Sequence, residues 1–375
     1  MLQAAPSDIV ITGKRLVEAQ QQCATGDCTP LRDAQATIAL AETRFRDGAY
    51  LDAKHLLAAA ISRNKGKAAT DPKPVAALYE AYATVSLHEG DQQAYRSAVA
   101  RQVRTLRDNL PADDSTVVAA TTALGDMWLK LGEYRQAEAT YRTVEEDAIA
   151  AGQERAALLA GMKRVWLAAA LERPSEARRK LAELETRNLA QQPGFRTALQ
   201  VLRLRIAARE ADDEALTKLV GLVTRSQNDD PVLLWAPGFE LDSAAAATEA
   251  RAMARRFGGA DPLRIRSTDL DAIQWADVGF WIRPDGRTAE AEVLRSSHGN
   301  PWTNLVIKQI SGRRYAASAG ASRDATDGVY KIQRFTRAST YATPTGSAIQ
   351  RRIAKGGFEI LDLTADTASK PPTAG

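Results

Sequence analysis

Histidine and cysteine are scarce in this chain of 375 residues, which has three of the first and two of the second. A histidine dyad or a metal centre would have to draw on His55, His88 or His298, which lie in unrelated segments, and zinc takes about four ligands. Also missing are a Gly-x-Ser-x-Gly elbow, a glycine-rich phosphate loop ending in Lys-Ser/Thr, and a His-Glu-x-x-His pair. These gaps argue against catalysis, and no cofactor or metal is expected. No apolar run approaches the roughly 20 residues that span a bilayer, so no transmembrane segment is expected either. Nor does one charge dominate: 50 Lys+Arg face 46 Asp+Glu, a net of +4. Arg101, Arg104 and Arg107, like Arg178, Arg179 and Lys180, sit at helical spacing without aromatic platforms. They read as solvated faces, and nucleic acid is not an expected partner.

The two cysteines stand close together in Cys23-Ala-Thr-Gly-Asp-Cys28. A Gly-Asp pair between them allows a tight loop, so a local disulfide is expected, and with it an oxidising compartment. Met1 to Ser7 has neither a cationic stretch nor an apolar core and is not a signal peptide. It reads as a mature N-terminus with an added initiator Met, which makes the expected protein an exported, periplasmic one. His88 falls at a helix end, where a cation is favoured. The carboxylate pairs Asp113-Asp114 and Asp229-Asp230 adjoin Ser and Pro and suit helix caps and turns.

From about 31 to 228 the chain is rich in Ala, Leu and Arg, with apolar residues at 3.6-residue spacing. One unit stands out: Leu124-Gly125, Trp128, Gly132-Glu133-Tyr134, Ala137 and Tyr141. Two helices would meet at Gly132, with small residues at 125 and 137 where they approach and with Trp128 and Tyr141 filling the gaps. This pattern resembles the tetratricopeptide repeat. A second copy runs through Ala41, Phe45, Gly48, Tyr50, Ala53 and Leu57. Weaker copies centre on Gly90 with Ala94, on Pro174 with Ala177 and Leu181, and on Glu210 with Ala215 and Leu219. Stacked hairpins of this kind bury a continuous core and present an extended groove to proteins or peptides.

Beyond Asp229-Asp230-Pro231 the texture changes. A short apolar run, Val232 to Trp235, precedes an alanine-rich helix from Ser243 to Arg256. Val278, Phe280 and Ile282 then alternate with Gly279, Trp281 and Arg283, as in a half-buried strand. Pro284-Asp285-Gly286 is a turn signal, and Ala289, Ala291 and Val293 alternate on the return strand towards Ser296-Ser297. Trp302, Leu305, Val306, Gln309 and Ile310 line one face of a helix ending near Ser311-Gly312. Tyr330 to Phe335 gives a third strand, and Phe358 to Leu363 can supply a fourth.

The stretch Asp277-Val-Gly-Phe-Trp-Ile-Arg-Pro-Asp-Gly-Arg287, followed by Ala291 to Ser297, resembles the C-terminal domain of TonB over about residues 275–336. The resemblance implies a small α+β domain that takes an extended segment of an outer-membrane receptor as an added strand, a form of β-augmentation. It makes Val329 to Phe335 the candidate edge, with Tyr330, Ile332, Arg334, Arg313 and Arg314 as candidate partner-binding residues. Without a membrane anchor or proline-rich spacer, binding is implied but force transmission is not. Ser7 to Arg15 is similar to the box such receptors offer, so Ile9, Val10 and Ile11 form a candidate docking strand.

The expected architecture is an α-helical tetratricopeptide-like solenoid followed by a small TonB C-terminal-like α+β domain, an antiparallel sheet with one helix. Its parts are an extended segment over 1–30, repeats over 31–228, a connecting segment with a helix over 229–258, the α+β domain over 259–366 and a disordered tail over 367–375. The expected function is that of a non-enzymatic periplasmic adaptor with protein partners, an outer-membrane receptor or another envelope protein. The alternatives are homodimerisation through the C-terminal strands and binding of cell-envelope components.

Overall fold

The structure is a computed structural model that describes residues 7–26, 28–208, 214, 218, 220–221, 223–225, 230–239, 272–297, 302–318, 328–343 and 348–364. The chain divides into two compact units, Met1–Ala160 and Gly161–Gly375.

The first unit is helical: α1 Ser7–Thr25, α2 Pro30–Arg46, α3 Tyr50–Asn64, α4 Pro72–Glu89, α5 Gln92–Arg107, α6 Ser115–Lys130, α7 Tyr134–Ala150, and the start of α8 Glu154–Ala170. Side-chain oxygens cap several helix starts. Thr29 accepts from the Arg32 N–H, Asp91 from the Ala94 N–H and Asp114 from the Thr116 N–H, which satisfies donors that a helix leaves open. Asp114 thus caps a helix, as its place beside Ser115 suggests. Asp229 lies outside the described residues.

The hairpin turns repeat one geometry. Gly48, Gly90 and Gly132 close α2, α4 and α6 with φ of 80°, 93° and 82°, a left-handed conformation that glycine adopts without penalty. In each turn the next residue's N–H donates to the carbonyl five residues back: Ala49 to Arg44 at 2.8 Å, Asp91 to Ser86 at 2.9 Å and Glu133 to Trp128 at 2.8 Å. A turn in the second unit does the same with Glu172 at φ 59° and Arg173 bonded to Ala168.

Counting from these turns aligns the repeats. Seven residues before each turn lie Ala41, Ala83, Gly125 and Val165, and nine after it lie Leu57, Val99, Tyr141 and Leu181. Gly125 and the other seven are buried. Five after it come Ala53, Tyr95, Ala137 and Ala177. The marker of the second repeat is therefore Tyr95, not Ala94, which is only half-buried. A methyl group on Gly125 would fall 2.3 Å from the Tyr141 ring, so the close approach inferred at that position is real. The unit around Glu210, Ala215 and Leu219 lies outside the described residues, as does the helix expected at Ser243 to Arg256.

Two polar clusters tie helices together. Asp33, in α2, accepts from Arg63 and Asn64 of α3 at 2.7–3.0 Å. Lys54 of α3 donates to Glu89 at 2.6 Å and to Asp91 at 2.8 Å. His88 ends α4 as expected and is buried edge-on against Phe45.

At the N-terminus the structure departs from the sequence reading. Ser7–Thr25 is a helix, so Ile9, Val10 and Ile11 lie in helical backbone, not in an extended docking strand. The run of β-branched residues points to a strand, but the chain continues through alanine and glutamine into a helix whose Gln20 and Cys23 are buried. The Cys23–Cys28 disulfide is present and joins the end of α1 to the approach to α2.

The second unit carries the rest of α8, then α9 Pro174–Glu185, α10 Pro193–Ala208, the strands β1 Thr224–Arg225, β2 Leu233–Trp235, β3 Trp275–Ile282 and β4 Thr288–Ser296, and the helix α11 Thr303–Ser311. The strands β5 Arg314–Tyr315, β6 Ala317–Ser318, β7 Val329–Ala342 and β8 Arg351–Asp362 complete it. The main sheet is antiparallel in the order β4-β3-β7-β8, and β2 pairs with β5 and β1 with β6. Helix α11 covers one face. Ala276, Val278, Phe280 and Ile282 meet Trp302, Val306, Ile310, Tyr315 and Phe335 there. The Thr288 hydroxyl donates to the Ile310 carbonyl at 2.7 Å.

Helix α10 is docked on this part of the chain. Val201, Leu204 and Ala208 share a core with Leu234 and Ala316. Arg205 donates to the carbonyls of Leu233 and Leu234 at 2.7 and 3.3 Å.

Candidate protein-interaction surfaces

The β3–β4 hairpin turns at Pro284-Asp285-Gly286, where Asp285 accepts from the Arg287 N–H at 2.9 Å. Sequence pattern and structure agree on this hairpin, on α11 and on the strand that follows. They differ on exposure. Strand β3 is not half-buried: along Trp275–Ile282 only Trp281 is exposed.

The reason lies on the face away from α11. Asp277 is 1% exposed and accepts from Arg334 at 2.6 and 2.9 Å and from Arg295 at 2.7 and 3.1 Å. Arg334 is fully buried, and its guanidinium lies 4.0 Å from the centre of the Trp275 ring. One carboxylate thus holds two arginines from the neighbouring strands, with an aromatic face closing the group. Such a cluster holds three strands in register, because both arginines, one from each neighbouring strand, converge on the same buried carboxylate.

The expected edge is not an edge. Strand β7 pairs with β3 over Val329–Ile282 to Thr336–Trp275 and with β8 over Gln333–Asp362 to Ala342–Arg351. The strand from Phe358 onward, read from the sequence as a fourth member, is what encloses it. Arg334 is fully buried and donates to Asp277. Arg313, 3% exposed, donates to Gln309 and Gln333 at 3.0 and 2.7 Å and lies over the rings of Phe280 and Phe335. Arg314 donates to the carbonyls of Gly312 and Arg313. Arg313 and Arg334 are buried and hold the domain together, whereas Arg314 is half-buried and bonds the carbonyls of its own chain neighbours. Ile332 is half-buried, and its N–H donates to Thr364 at 2.8 Å. Tyr330 packs over Gly279, where a side chain would collide with it, and beside Trp281 at 5.0 Å. Burial, then the charge of Glu292, raises the Tyr330 phenol above its ordinary range.

The two end strands of the sheet differ. The β3–β4 ladder is broken by two register shifts, and Glu290 has φ 52°. Bulges and glutamates of this kind blunt an edge. Strand β8 has one break, at Gly356-Gly357, and then pairs regularly with β7 from Phe358 to Asp362. The Leu363 N–H bonds to Ile332 across the ladder. Alternation from that bond points the N–H groups of Leu361 and Glu359 inward and those of Phe358, Ile360 and Asp362 outward. Among the described residues no strand pairs with that outer side. Only the alternation of Phe358, Ile360 and Asp362 signalled this edge in the sequence. The start of β8 at Arg351 was hidden by the Gly-Gly break.

Among the described residues no cluster of three His, Cys, Asp or Glu could hold a metal, and no helix is long and apolar enough to cross a membrane.

No protein-family model matches the chain, and a comparison with curated proteins returns no match. Among solved structures the chain is similar to the nearly identical TPR-like repeats of a kinesin light chain from Podosopora anserina, at 15% identity and a TM-score of 0.41, over 51% of this chain and 92% of that one. It is also similar to the apo form of RapI, at 13% and 0.44 over 57% and 58%. BtubC from P. vanneervenii gives 15% and 0.43 over 72% and 99%. The helical region is TPR-like by its own turn and packing geometry, and a sheet of antiparallel strands follows it.

Proposed function

We propose that this chain is a non-enzymatic periplasmic adaptor. Its hairpin repeats hold one protein partner, and its TonB-like sheet takes an extended segment of another, such as an outer-membrane receptor, as an added strand on β8. The reading rests on one observation: β8 carries an outward row of N–H groups at 358, 360 and 362 on a strand end that the opposite edge, β4, lacks because of its bulges. Backbone pairing there supplies affinity, and the alternate side chains supply selectivity. The Cys23–Cys28 disulfide supports an oxidising compartment.

Ile360→Pro tests it. Proline at an outward position removes a donor to an incoming strand but none to β7, whereas Leu361→Pro would break the ladder itself. The full chain and its Ile360→Pro variant, both shown folded by circular dichroism, are used to capture partners from detergent-solubilised envelope. Receptors retained by the first and lost by the second are the expected result. Identical partners for both would remove strand addition at β8. A wild-type dimer that becomes a monomer on substitution would assign the edge to a second copy.

A further inference from the structure

Two aromatic rings lean across glycines on the sheet face away from α11. A side chain at Gly279 would meet the Tyr330 hydroxyl, and one at Gly328 would come 3.2 Å from the Trp281 indole. Each ring thus takes the room that a glycine leaves. The two residues are opposite each other in the β3–β7 ladder, with ring centres 5.0 Å apart. Trp281 is 39% exposed, so part of this aromatic surface is open to solvent. Glu292 stands opposite Gly279 on β4 and shares that face. It is exposed. Burial raises the Tyr330 phenol and the Glu292 charge raises it further, which sets the carboxylate beside the rings. Among the described residues no cation pairs with Glu292 or stacks on either ring.

The other end of the same face carries a related arrangement with its cations in place. There the Trp275 ring has the Arg334 guanidinium at 4.0 Å and that of Arg295 at 5.9 Å, and both arginines donate to Asp277. A tryptophan of β3, a carboxylate and arginine form one unit. At Trp281 the tryptophan and the carboxylate recur, with a second ring added, and the described residues bring no arginine to them.

These features select a guanidinium. Aromatic faces attract a cation, and Glu292 supplies its counter-charge. A guanidinium is planar and weakly hydrated, so it can stack on the indole while its N–H fork bonds the carboxylate. A lysine ammonium is a strongly hydrated point charge and gains less on an open surface. A quaternary ammonium has no N–H to give Glu292 and is held by aromatic cages, not by an open face. Phosphates of nucleic acid or lipid would be repelled by the carboxylate, and a purely apolar partner would bury it without a counter-charge. A sugar could stack on the indole, but Leu294 and the two glycines beside the rings give its hydroxyls no side-chain partner. We propose that Trp281, Tyr330 and Glu292 receive an arginine side chain of a partner protein, with the guanidinium stacked on the rings and its N–H groups on the carboxylate. The site lies on the face of the sheet and does not depend on strand addition at β8.

The test is fluorine NMR of the full chain with its six tryptophans fluorinated, titrated with a capped Gly-Ser-Arg-Ser-Gly peptide and its lysine and citrulline counterparts. Trp281→Phe identifies the resonance to follow, and circular dichroism confirms that each variant is folded. The arginine peptide should move the Trp281 resonance more than the other five, more than the lysine peptide does, and less as salt is added. Citrulline keeps the shape of arginine without its charge. It should bind at least about two- to fivefold more weakly, the worth of an exposed cation–π contact. Glu292→Gln should weaken the arginine peptide by up to about fivefold, the worth of an exposed ion pair. Ile360→Pro should leave the response unchanged, so a failure of strand addition and a failure of this site are read separately. Equal shifts from the citrulline peptide, a Trp281 resonance that moves no more than the others, or a response untouched by Glu292→Gln would overturn the proposal. So would a larger shift with a chitin trisaccharide than with the arginine peptide.

Discussion

Placing a methyl group at position 125 sets two known effects against each other. In an exposed helix Gly→Ala stabilises by about 1 kcal/mol, because alanine loses less backbone freedom on folding. At Gly125 the methyl would fall 2.3 Å from one ring carbon of Tyr141, 2.7 Å from a second and 2.9 Å from a third. The ring has nowhere to go. Tyr141 is fully buried, and its hydroxyl is tied to the Asp126 carboxylate one residue along the same helix. Overpacking of this kind costs about 1–3 kcal/mol, so the repacking must offset the propensity gain and exceed it. Gly125→Ala should destabilise the first unit by up to about 2 kcal/mol, a fall of up to about 8 °C in Tm for a unit of this size. Thermal melts followed at 222 nm read this directly. The decisive measurement is the same substitution with Tyr141→Leu already in place. Without the ring, Gly125→Ala should become neutral or stabilising by up to about 1 kcal/mol. A change of the same sign and size in both backgrounds would refute the argument that the ring excludes a side chain here.

Asp277→Asn removes the carboxylate charge that Arg334 and Arg295 share while keeping the side chain's shape. Because Arg334 is fully buried, the loss should be about 3 kcal/mol or more, and unchanged denaturant unfolding would contradict it. Glu172 occupies a turn position that glycine fills in the three preceding hairpins, so Glu172→Gly should stabilise by about 1 kcal/mol, and a lowered Tm would count against the shared turn geometry. Acid should weaken the fold through four aspartates. Burial alone would raise Asp33, Asp91 and Asp362, but hydrogen bonds from Arg63, from Lys54 and from Thr364 respectively outweigh it and leave each carboxyl below its ordinary range. Hydrogen bonds from Thr116, with a smaller contribution from Lys73, hold Asp114 at about 2. Depressed carboxyls stabilise the folded state above the unfolded value near 4 and lose that contribution as pH falls through the folded values. Stability should therefore drop between about pH 4 and pH 2, and a Tm flat across that range would exclude these groups as its source.

Local chemistry made much of this legible. Gly48, Gly90 and Gly132 mark turns because only glycine takes their backbone conformation freely, and Cys23 and Cys28 find each other because nothing else is near. The hairpin at Asp285-Gly286 and the apolar face of α11 follow from turn chemistry and periodicity. What stayed hidden depends on distant partners. Nothing local says that Arg334 will meet Asp277, 57 residues away, so a buried structural arginine reads as an available one. Tyr95 fills a position where alanine is the usual sign, which shifted the second repeat by one residue. The interior place of β7 depended on the full length of β8, which the glycines at 356 and 357 conceal. At the other end, Ile9 to Thr12 have strand-forming side chains in a helix, where the longer context overrides local preference.

The docking of α10 on β2 has a consequence for modularity. Arg205 closes the backbone of Leu233 and Leu234, and Val201, Leu204 and Ala208 share apolar neighbours with Leu234 and Ala316. Helix α10 thus helps to complete the sheet region. A fragment cut at residue 259 would leave β5 without its partner strand and expose the flank where α10 rested. The smallest piece able to fold by itself should begin at or before Pro193. By the same logic, an exchange of modules between proteins of this kind would have to move α10 and the sheet as one inherited block, with its joint inside the helical array and not at the boundary between helices and strands.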